Sequence, residues 1–389
     1  MTESEKGLCM LGLRPTTAGP AETTDDPLTA PDATGAVEAV LERILDAHLS
    51  QARDVDPVYA RDVAGRVAGL VRRGGKRLRT AFAWCGWRAA GGSGDGGAVL
   101  RTGAALELLQ ACALIHDDVM DGSPLRRGAP SVHVDLAAMH RATRMAGSPE
   151  AFATSAAVLA GDLALAWADD LLTETALGTP HGPRLLHEWR AMRQEMVAGQ
   201  YRDLHAQATG SFGVDEALAI ATLKSALYTV ERPLALGAAL AGADAYTVDA
   251  LRSAGRCAGL AFQLRDDLLG AFGEPARTGK PVGEDLRSRK PTYLLAAGLG
   301  LADAAGDEEA VAVLSPDGAG RGEAAVERMR AALERTGARS VVESKIGELA
   351  GTALRTFERT GADDGVRREF ALLVERASGL VPRTAEGVR

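Results

Sequence analysis

The stretch LLQACALIHDDVMDGSPLRRG places three carboxylates, Asp117, Asp118 and Asp121, at the end of an apolar run. At 100° per residue, Asp117 and Asp121 fall about 40° apart on one helical face, one turn from each other. Carboxylates this close repel, and a helix C-terminus adds to the cost because its dipole disfavours negative charge. Local helix stability does not ask for this arrangement. A bound divalent cation would, because hard oxygen ligands suit Mg²⁺. By itself the motif is equally readable as a solvated acidic helix end. About 150 residues later, AFQLRDDLLGAFGEPARTGKPVGEDL repeats the theme: Asp266 and Asp267 close an apolar stretch, with Gln263 one turn earlier. Mg²⁺ usually binds one or two carboxylates together with substrate phosphates. Two acidic helix ends therefore suggest one cavity, with a diphosphate bridging them through metal and an apolar tail below. A third pair, Asp169–Asp170, has no further acid at helical spacing and no basic escort, and reads as a surface feature.

The cations belong to the same pattern. RRGGKRLRT gathers Arg72, Arg73, Lys76, Arg77 and Arg79 around a Gly pair. Arg126 and Arg127 follow the first acidic cluster, Lys280 and Lys290 follow the second, and Lys224 sits in the otherwise apolar LKSALYTV. An acidic chain that concentrates cations beside its acidic clusters matches an anion of high charge density. Arg can grip phosphate oxygens bidentately, and Lys acts as a point charge.

These groups need helices to position them. Apolar residues recur at i, i+3 and i+4 from Val37, Val40, Leu41, Ile44 and Leu45 onward, and similar stretches fill 56–72, 78–90, 97–118, 151–175, 183–209, 214–241, 246–271, 291–304, 322–336, 340–360 and 363–379. Short turn-like breaks separate them, including 91–97, 121–131, 178–183 and 315–320. Period-2 alternation is almost absent and aromatics are only 4%, which argues against strands. The expected fold is all-α, with residues 1–35, rich in Thr, Pro, Ala, Gly and Asp, as a disordered tail and 36–389 as a single helical domain. The balance of 44 Lys and Arg against 52 Asp and Glu gives a net charge of −8, a poor match to nucleic acid. Cys9, Cys85, Cys112 and Cys257 are scattered, with no CxxC, which fits a reducing compartment. No basic region followed by an apolar stretch opens the chain, and the uninterrupted apolar runs fall short of the roughly 18 residues of a membrane span. A cytoplasmic protein without stable membrane insertion is expected.

In order and at family spacing, GGKRLRT (74–80), LIHDDVMD (114–121), RRGAPSVH (126–133), GDLAL (161–165), GQYRDL (199–204), KSALY (224–228), FQLRDDLL (262–269) and GKPVGEDL (279–286) resemble the trans-isoprenyl diphosphate synthases, or polyprenyl synthetases, and most of all bacterial enzymes of the geranylgeranyl diphosphate type. The likeness runs from about residue 37 to about residue 375. It implies a large all-α bundle around a deep central cavity, a homodimer, and Mg²⁺-dependent head-to-tail condensation of an allylic diphosphate with isopentenyl diphosphate. By that resemblance Asp117, Asp121 and Asp266 carry Mg²⁺, with Asp118, Asp267 and Asp285 in support. Arg126, Lys224 and Lys280 hold the allylic diphosphate, with Lys290 nearby. Lys76, Arg79 and Arg127, with Gln110, hold the isopentenyl diphosphate. Gln263, Gln200 and Ser225 line the reaction centre. Two departures stand out: Gly270 replaces the usual last Asp of the second acidic motif, and Thr80 stands where Pro is usual. His116 points round the helix from Asp117 and reads as structural.

One isoprene unit is about as long as one helical turn, roughly 5.4 Å. One turn below Asp117 stand the small Ala113 and Cys112, where relatives that stop at fifteen carbons tend to carry aromatics. Leu109, or a neighbour such as Trp167, is the expected floor, and the expected product has twenty carbons; farnesyl or products of C25 and longer are the alternatives. A class I terpene cyclase would not need the GGKRLR site, and a non-catalytic synthase subunit would be expected to lose its acidic motifs.

Overall fold

The computed structural model describes residues 29–211, 213–273, 283–318 and 322–379. Helix α1 runs Ala30–Val55, started by Thr29, whose side chain accepts from the Asp32 N–H. A proline in the first turn removes one of the N–H groups that would have no partner inside the helix. The helix thus begins upstream of residue 36, and the expected tail boundary is corrected: the capping Thr and the proline are themselves a helix start, hidden in a Pro- and Thr-rich composition. Residues 1–28 lie outside the described residues. Helix α2 spans 57–72, with a π-helical turn at Ala60–Ala64. Then come α3 (Leu78–Ala89), α4 (Gly97–Met120), α5 (Val132–Ala142), α6 (Pro149–Leu177) and α7 (Gly182–Thr209). Helix α8 covers 214–240 and is π-helical over Ala221–Glu231. The chain closes with α9 (Ala245–Phe272), the single turn α10 (Glu284–Arg287), α11 (Tyr293–Ala305), α12 (Glu308–Leu314), α13 (Glu323–Arg335), α14 (Ala338–Phe357) and α15 (Asp364–Ser378).

The all-α expectation holds, and the molecule is one helical bundle. The sole strand pairing among the described residues is β1 (Leu125–Arg126) against β2 (Ala129–Pro130), inside the stretch expected to be a turn. Arg127 and Gly128, with φ of 53° and 73°, form the two-residue turn that such a tight hairpin requires. Helix α5 was not anticipated; VHVDLA alternates in polarity and masks the helical period.

Helices α4 and α6 pack along each other, α9 lies between α8 and α14, and α3 packs on the end of α8. Both α4 and α6 are long and apolar enough to cross a membrane by composition, which a count of uninterrupted apolar runs misses. In α4, 72% of the apolar window is buried in the bundle, which makes it a core helix; in α6 only 44% is. Phe152 and Leu159 of α6 are exposed.

Helices α3 and α8 approach at glycines. A Cβ on Gly237 would stand 1.9 Å from the Ala83 carbonyl oxygen and 2.6 Å from the Trp87 nitrogen, backbone atoms that cannot step aside. Gly237→Ala is therefore expected to destabilise the fold by about 1–3 kcal/mol. Gly300→Ala, on α11 with nothing within 4 Å, is expected to stabilise it by about 0.4–1 kcal/mol. Thermal melts followed by circular dichroism would check both signs.

Candidate active site

Helix α4 ends at Met120 with Asp121 as its cap, so Asp117 and Asp118 occupy its last turn. The β1–β2 hairpin returns Arg126 onto them: its guanidinium donates to Asp118 Oδ1 (2.8 Å from Nε) and to Asp117 Oδ2 (3.4 Å). The middle of α8 delivers Lys224 from another side. Helix α7 comes close enough for this only because of Gly199, where a Cβ would lie 2.4 Å from the Lys224 backbone nitrogen. One turn further along α7, the buried Asp203 accepts from Lys224 Nζ at 2.7 Å, while the same ammonium donates to Asp117 Oδ1 at 3.1 Å. Lys290, after α10, donates to Asp121 Oδ2 at 3.2 Å and stands 3.6 Å from Asp203 Oδ2.

The second cluster lies on α9, which continues past it to Phe272. Asp267 is buried and accepts from Gln263 Nε2 at 2.8 Å; Asp266 is exposed. The Gly283 N–H donates to the Gly270 carbonyl at 2.9 Å and docks the following turn on the helix. A Cβ on Gly270 would lie 2.6 Å from Asp285 Oδ2. The Asp285 carboxylate thus fills the space where a third carboxylate on α9 would begin.

Burial, reinforced by Asp285 and Asp266, pushes the Asp267 carboxyl up to about 8, with Gln263 and Lys290 pulling the other way. Burial works against the Lys290 charge, but Asp203, Asp121, Asp285 and Asp117 hold it above the ordinary lysine range. Lys290 is the charge the two acidic clusters share. Burial likewise opposes ionisation of Asp117 and Asp203, and the lysines more than offset it, leaving both below the usual carboxylate range. For Asp118 burial wins despite Arg126, and its carboxyl rises.

The described carboxylates here, Asp117, Asp118, Asp121, Asp203, Asp266, Asp267 and Asp285, outnumber the cations Arg126, Lys224 and Lys290. No three Asp, Glu, His or Cys side chains among the described residues are gathered so as to hold an ion by themselves. Surplus hard oxygen donors without a closed cage are the set that suits Mg²⁺ when phosphate oxygens complete its shell. The residues fit that ion.

A second basic group gathers across α4. Arg79 lies over the Tyr228 ring, 4.3 Å from its centre, and donates to Thr229 Oγ1 at 3.1 Å. Arg127 donates to the Leu70 carbonyl at 2.9 Å; burial, together with Arg77, Arg79 and Arg126, lowers its pKa. Lys76 is exposed. Arg79 Nε and the Tyr228 hydroxyl are buried donors without a partner, which an anionic ligand would satisfy; Gln110 Oε1 is also buried without a partner, and that amide would have to turn to offer an N–H to an anion.

Other expected residues are placed as follows. Gln200 Nε2 reaches the Met120 sulfur at 3.4 Å, and Ser225 is half-buried beside Lys224. Leu109 and Cys112 are buried and Ala113 is half-buried. Burial pushes the Cys112 thiol up to about 12. Trp167 stacks on His48 of α1, ring centres 4.5 Å apart. Lys280 lies outside the described residues. His116 turns to α6, where its Nε2 lies 3.2 Å from the Val158 carbonyl oxygen and 3.8 Å from Asp162 Oδ1. Asp169 is more than a surface group: it accepts from Trp189 Nε1 at 2.6 Å and pairs with Arg193, tying α6 to α7. Asp203 was not anticipated. It lies within the GQYRDL stretch that carries the resemblance but was given no role there, and its partners lie 21 and 87 residues away along the chain.

The family model for polyprenyl synthetases matches residues 63–332, more than half of the chain. Geranylgeranyl diphosphate synthase of Mycobacterium tuberculosis is 35% identical over 242 residues, which are 62% of this chain and 63% of that protein, so the chain matches less than two thirds of that relative. Geranylfarnesyl diphosphate synthase of Aeropyrum pernix is 28% identical over 315 residues, 80% of this chain and 92% of that one. Among solved structures, geranylgeranyl pyrophosphate synthase of Corynebacterium glutamicum, complexed with isoprenyl diphosphate and magnesium, aligns with a TM-score of 0.85 and 39% identity, covering 90% of this chain and 99% of its own. With both acidic clusters and the basic loop in place on this bundle, the chain belongs to the polyprenyl synthetase family.

Proposed function

We propose that the chain is a Mg²⁺-dependent prenyltransferase that joins an allylic diphosphate to isopentenyl diphosphate, with geranylgeranyl diphosphate as product. The observation that carries the reading is Lys290, whose ammonium pairs with Asp121 of the first cluster while its backbone N–H donates to the carbonyl of Asp285, the residue whose carboxylate lies against Gly270 beside the second cluster. In this reading Asp117, Asp121 and Asp266 hold Mg²⁺, with Asp118, Asp267 and Asp285 supporting, and the ion supplies positive charge to the diphosphate leaving group. Arg126, Lys224, Lys290 and Lys280 grip the allylic diphosphate and stabilise its charge as the C1–O bond breaks, each such preorganised group contributing about 10²–10³-fold in rate. Lys76, Arg79, Arg127 and Gln110 hold the isopentenyl diphosphate. Its double bond attacks C1, the new C–C bond forms, and the proton lost from the adjacent carbon passes to the departed diphosphate. Gln263, Gln200 and Ser225 face the positive charge with amide and hydroxyl dipoles. The apolar walls exclude water that would otherwise quench it.

The growing chain runs along α4 past Ala113 and Cys112 toward Leu109. Trp167, stacked on His48 of α1, is the alternative floor. The exposed apolar face of α6 supports pairing of two copies of the chain.

Purified protein with Mg²⁺, isopentenyl diphosphate and, separately, dimethylallyl, geranyl and farnesyl diphosphates is expected to give a C20 product, identified by chromatography after dephosphorylation; no turnover with any primer would remove the reading. In the same assay Ala113→Phe is expected to shift the product to C15, and an unchanged length would relocate the floor. Asp203→Asn is expected to lower kcat/KM for the allylic substrate by about 10²-fold, because both lysines lose their buried counter-charge; steady-state kinetics at saturating isopentenyl diphosphate would measure it.

A further inference from the structure

The basic run RRGGKRLRT looks like one cationic patch, yet its members have different surroundings. Arg72 is engaged by Glu42 and Asp46 of α1. Arg77 is turned inward: its side chain is 2% exposed, whereas Lys76 beside it is exposed and Arg79 half-buried. Four of its five N–H donors are committed. Nε and Nη2 donate to the Glu38 carboxylate of α1 at 2.7 and 3.1 Å, Nη2 also donates to the Val71 carbonyl of α2 at 3.0 Å, and Nη1 pairs with the buried Glu107 of α4. Only one Nη1 N–H remains, on a side chain that is 2% exposed and turned away from Lys76.

Arg77 also holds a backbone conformation unusual for a side-chain-bearing residue, with φ of 48° at the position just before α3. Such a conformation persists where surrounding contacts over-determine it. Here those contacts come from three helices. The residues flanking this anchor are the ones read as taking the second diphosphate: Lys76 immediately before it, Arg79 two residues after it, and Arg127, whose guanidinium would lie 3.1 Å from a Cβ on Gly75. Glu107 is three residues before Gln110 and ten before Asp117 on the same straight helix, which sets its rise to the acidic cluster at about 15 Å.

We infer that Arg77 is a positioning residue: through Glu107 it registers the loop carrying Lys76 and the first turn of α3 carrying Arg79 against α4, and so fixes the second diphosphate site relative to the first. The inference rests on the prenyltransferase reading. It separates Arg77 from its neighbours, since it assigns no contact between Arg77 and substrate.

The test uses the full chain and the double variant Arg77→Gln with Glu107→Gln. Removing both charges together leaves no uncompensated buried charge, so the fold is expected to persist. Calorimetry reads the Kd of isopentenyl diphosphate in the absence of primer, and kinetics read KM for each substrate separately. The double variant is expected to raise Kd and KM for isopentenyl diphosphate about 10-fold while KM for the allylic diphosphate stays within about 2-fold. A purely structural role would weaken both substrates together. Equal losses, or isopentenyl diphosphate binding within about 2-fold of wild type, would overturn the inference. Arg77→Lys, which keeps the charge but loses the planar fork, is read by the same criterion if circular dichroism finds the double variant unfolded. Wild-type turnover with an unaltered double variant overturns this inference alone; wild-type protein that neither turns over nor binds isopentenyl diphosphate overturns the functional reading and this inference with it.

Discussion

Burying a charged aspartate is costly unless it finds a cation, and the shared ion network of Asp117, Asp203, Lys224 and Lys290 meets that requirement for Asp117 and Asp203. The elements around it are the means of delivery. A π-helical stretch presents Lys224, a glycine on α7 lets the two helices touch, a six-residue hairpin swings Arg126 back over the last turn of α4, and α10 brings Lys290. Remove any one and a carboxylate is left in a poorly solvated place without its partner. The same pairs define the chemistry. Ammonium groups already held at fixed positions meet a diphosphate without having to reorganise, which is where electrostatic catalysis draws its strength.

Helix α4 acts as a ruler for the whole site. Glu107, Gln110, Ala113 and Asp117 stand three, three and four residues apart, so they line one face. From one end to the other that face carries the anchor of the basic loop, a buried amide oxygen without a partner, the small residues beside the proposed chain path, and the first acidic cluster. Because a helix rises by a constant amount per residue, the separations among these functions are set by counting residues, and the bundle only has to keep the helix straight and buried.

The fold class was legible because helical periodicity repeats over long stretches, and most element boundaries follow from it. Where other signals compete, the reading slips. The start of α1 hides in a Thr- and Pro-rich composition, α5 in an alternating VHVDLA, and the β1–β2 ribbon in what reads as a loop. The site was partly legible. Asp117, Asp118 and Asp121, and Asp266 with Asp267, stand out because carboxylates crowded at helical spacing have no local reason to be there. The basic run was visible as a run, but not as a mixture of exposed Lys76, half-buried Arg79 and inward Arg77. Gly270 read as a lost carboxylate, whereas Asp285 takes up the space beside it.

What the sequence by itself determined is everything that depends on neighbours within a turn or two: the helices, their caps, the acidic and basic clusters, and the small residues below Asp117. What only the tertiary structure decided is which cation faces which acid. Lys224 meets Asp117 across 107 residues and Lys290 meets Asp121 across 169, and Asp203, given no role in its GQYRDL stretch, pairs with both lysines. Charge interactions act through space and depend on burial, so they follow helix packing and leave no periodic trace along the chain.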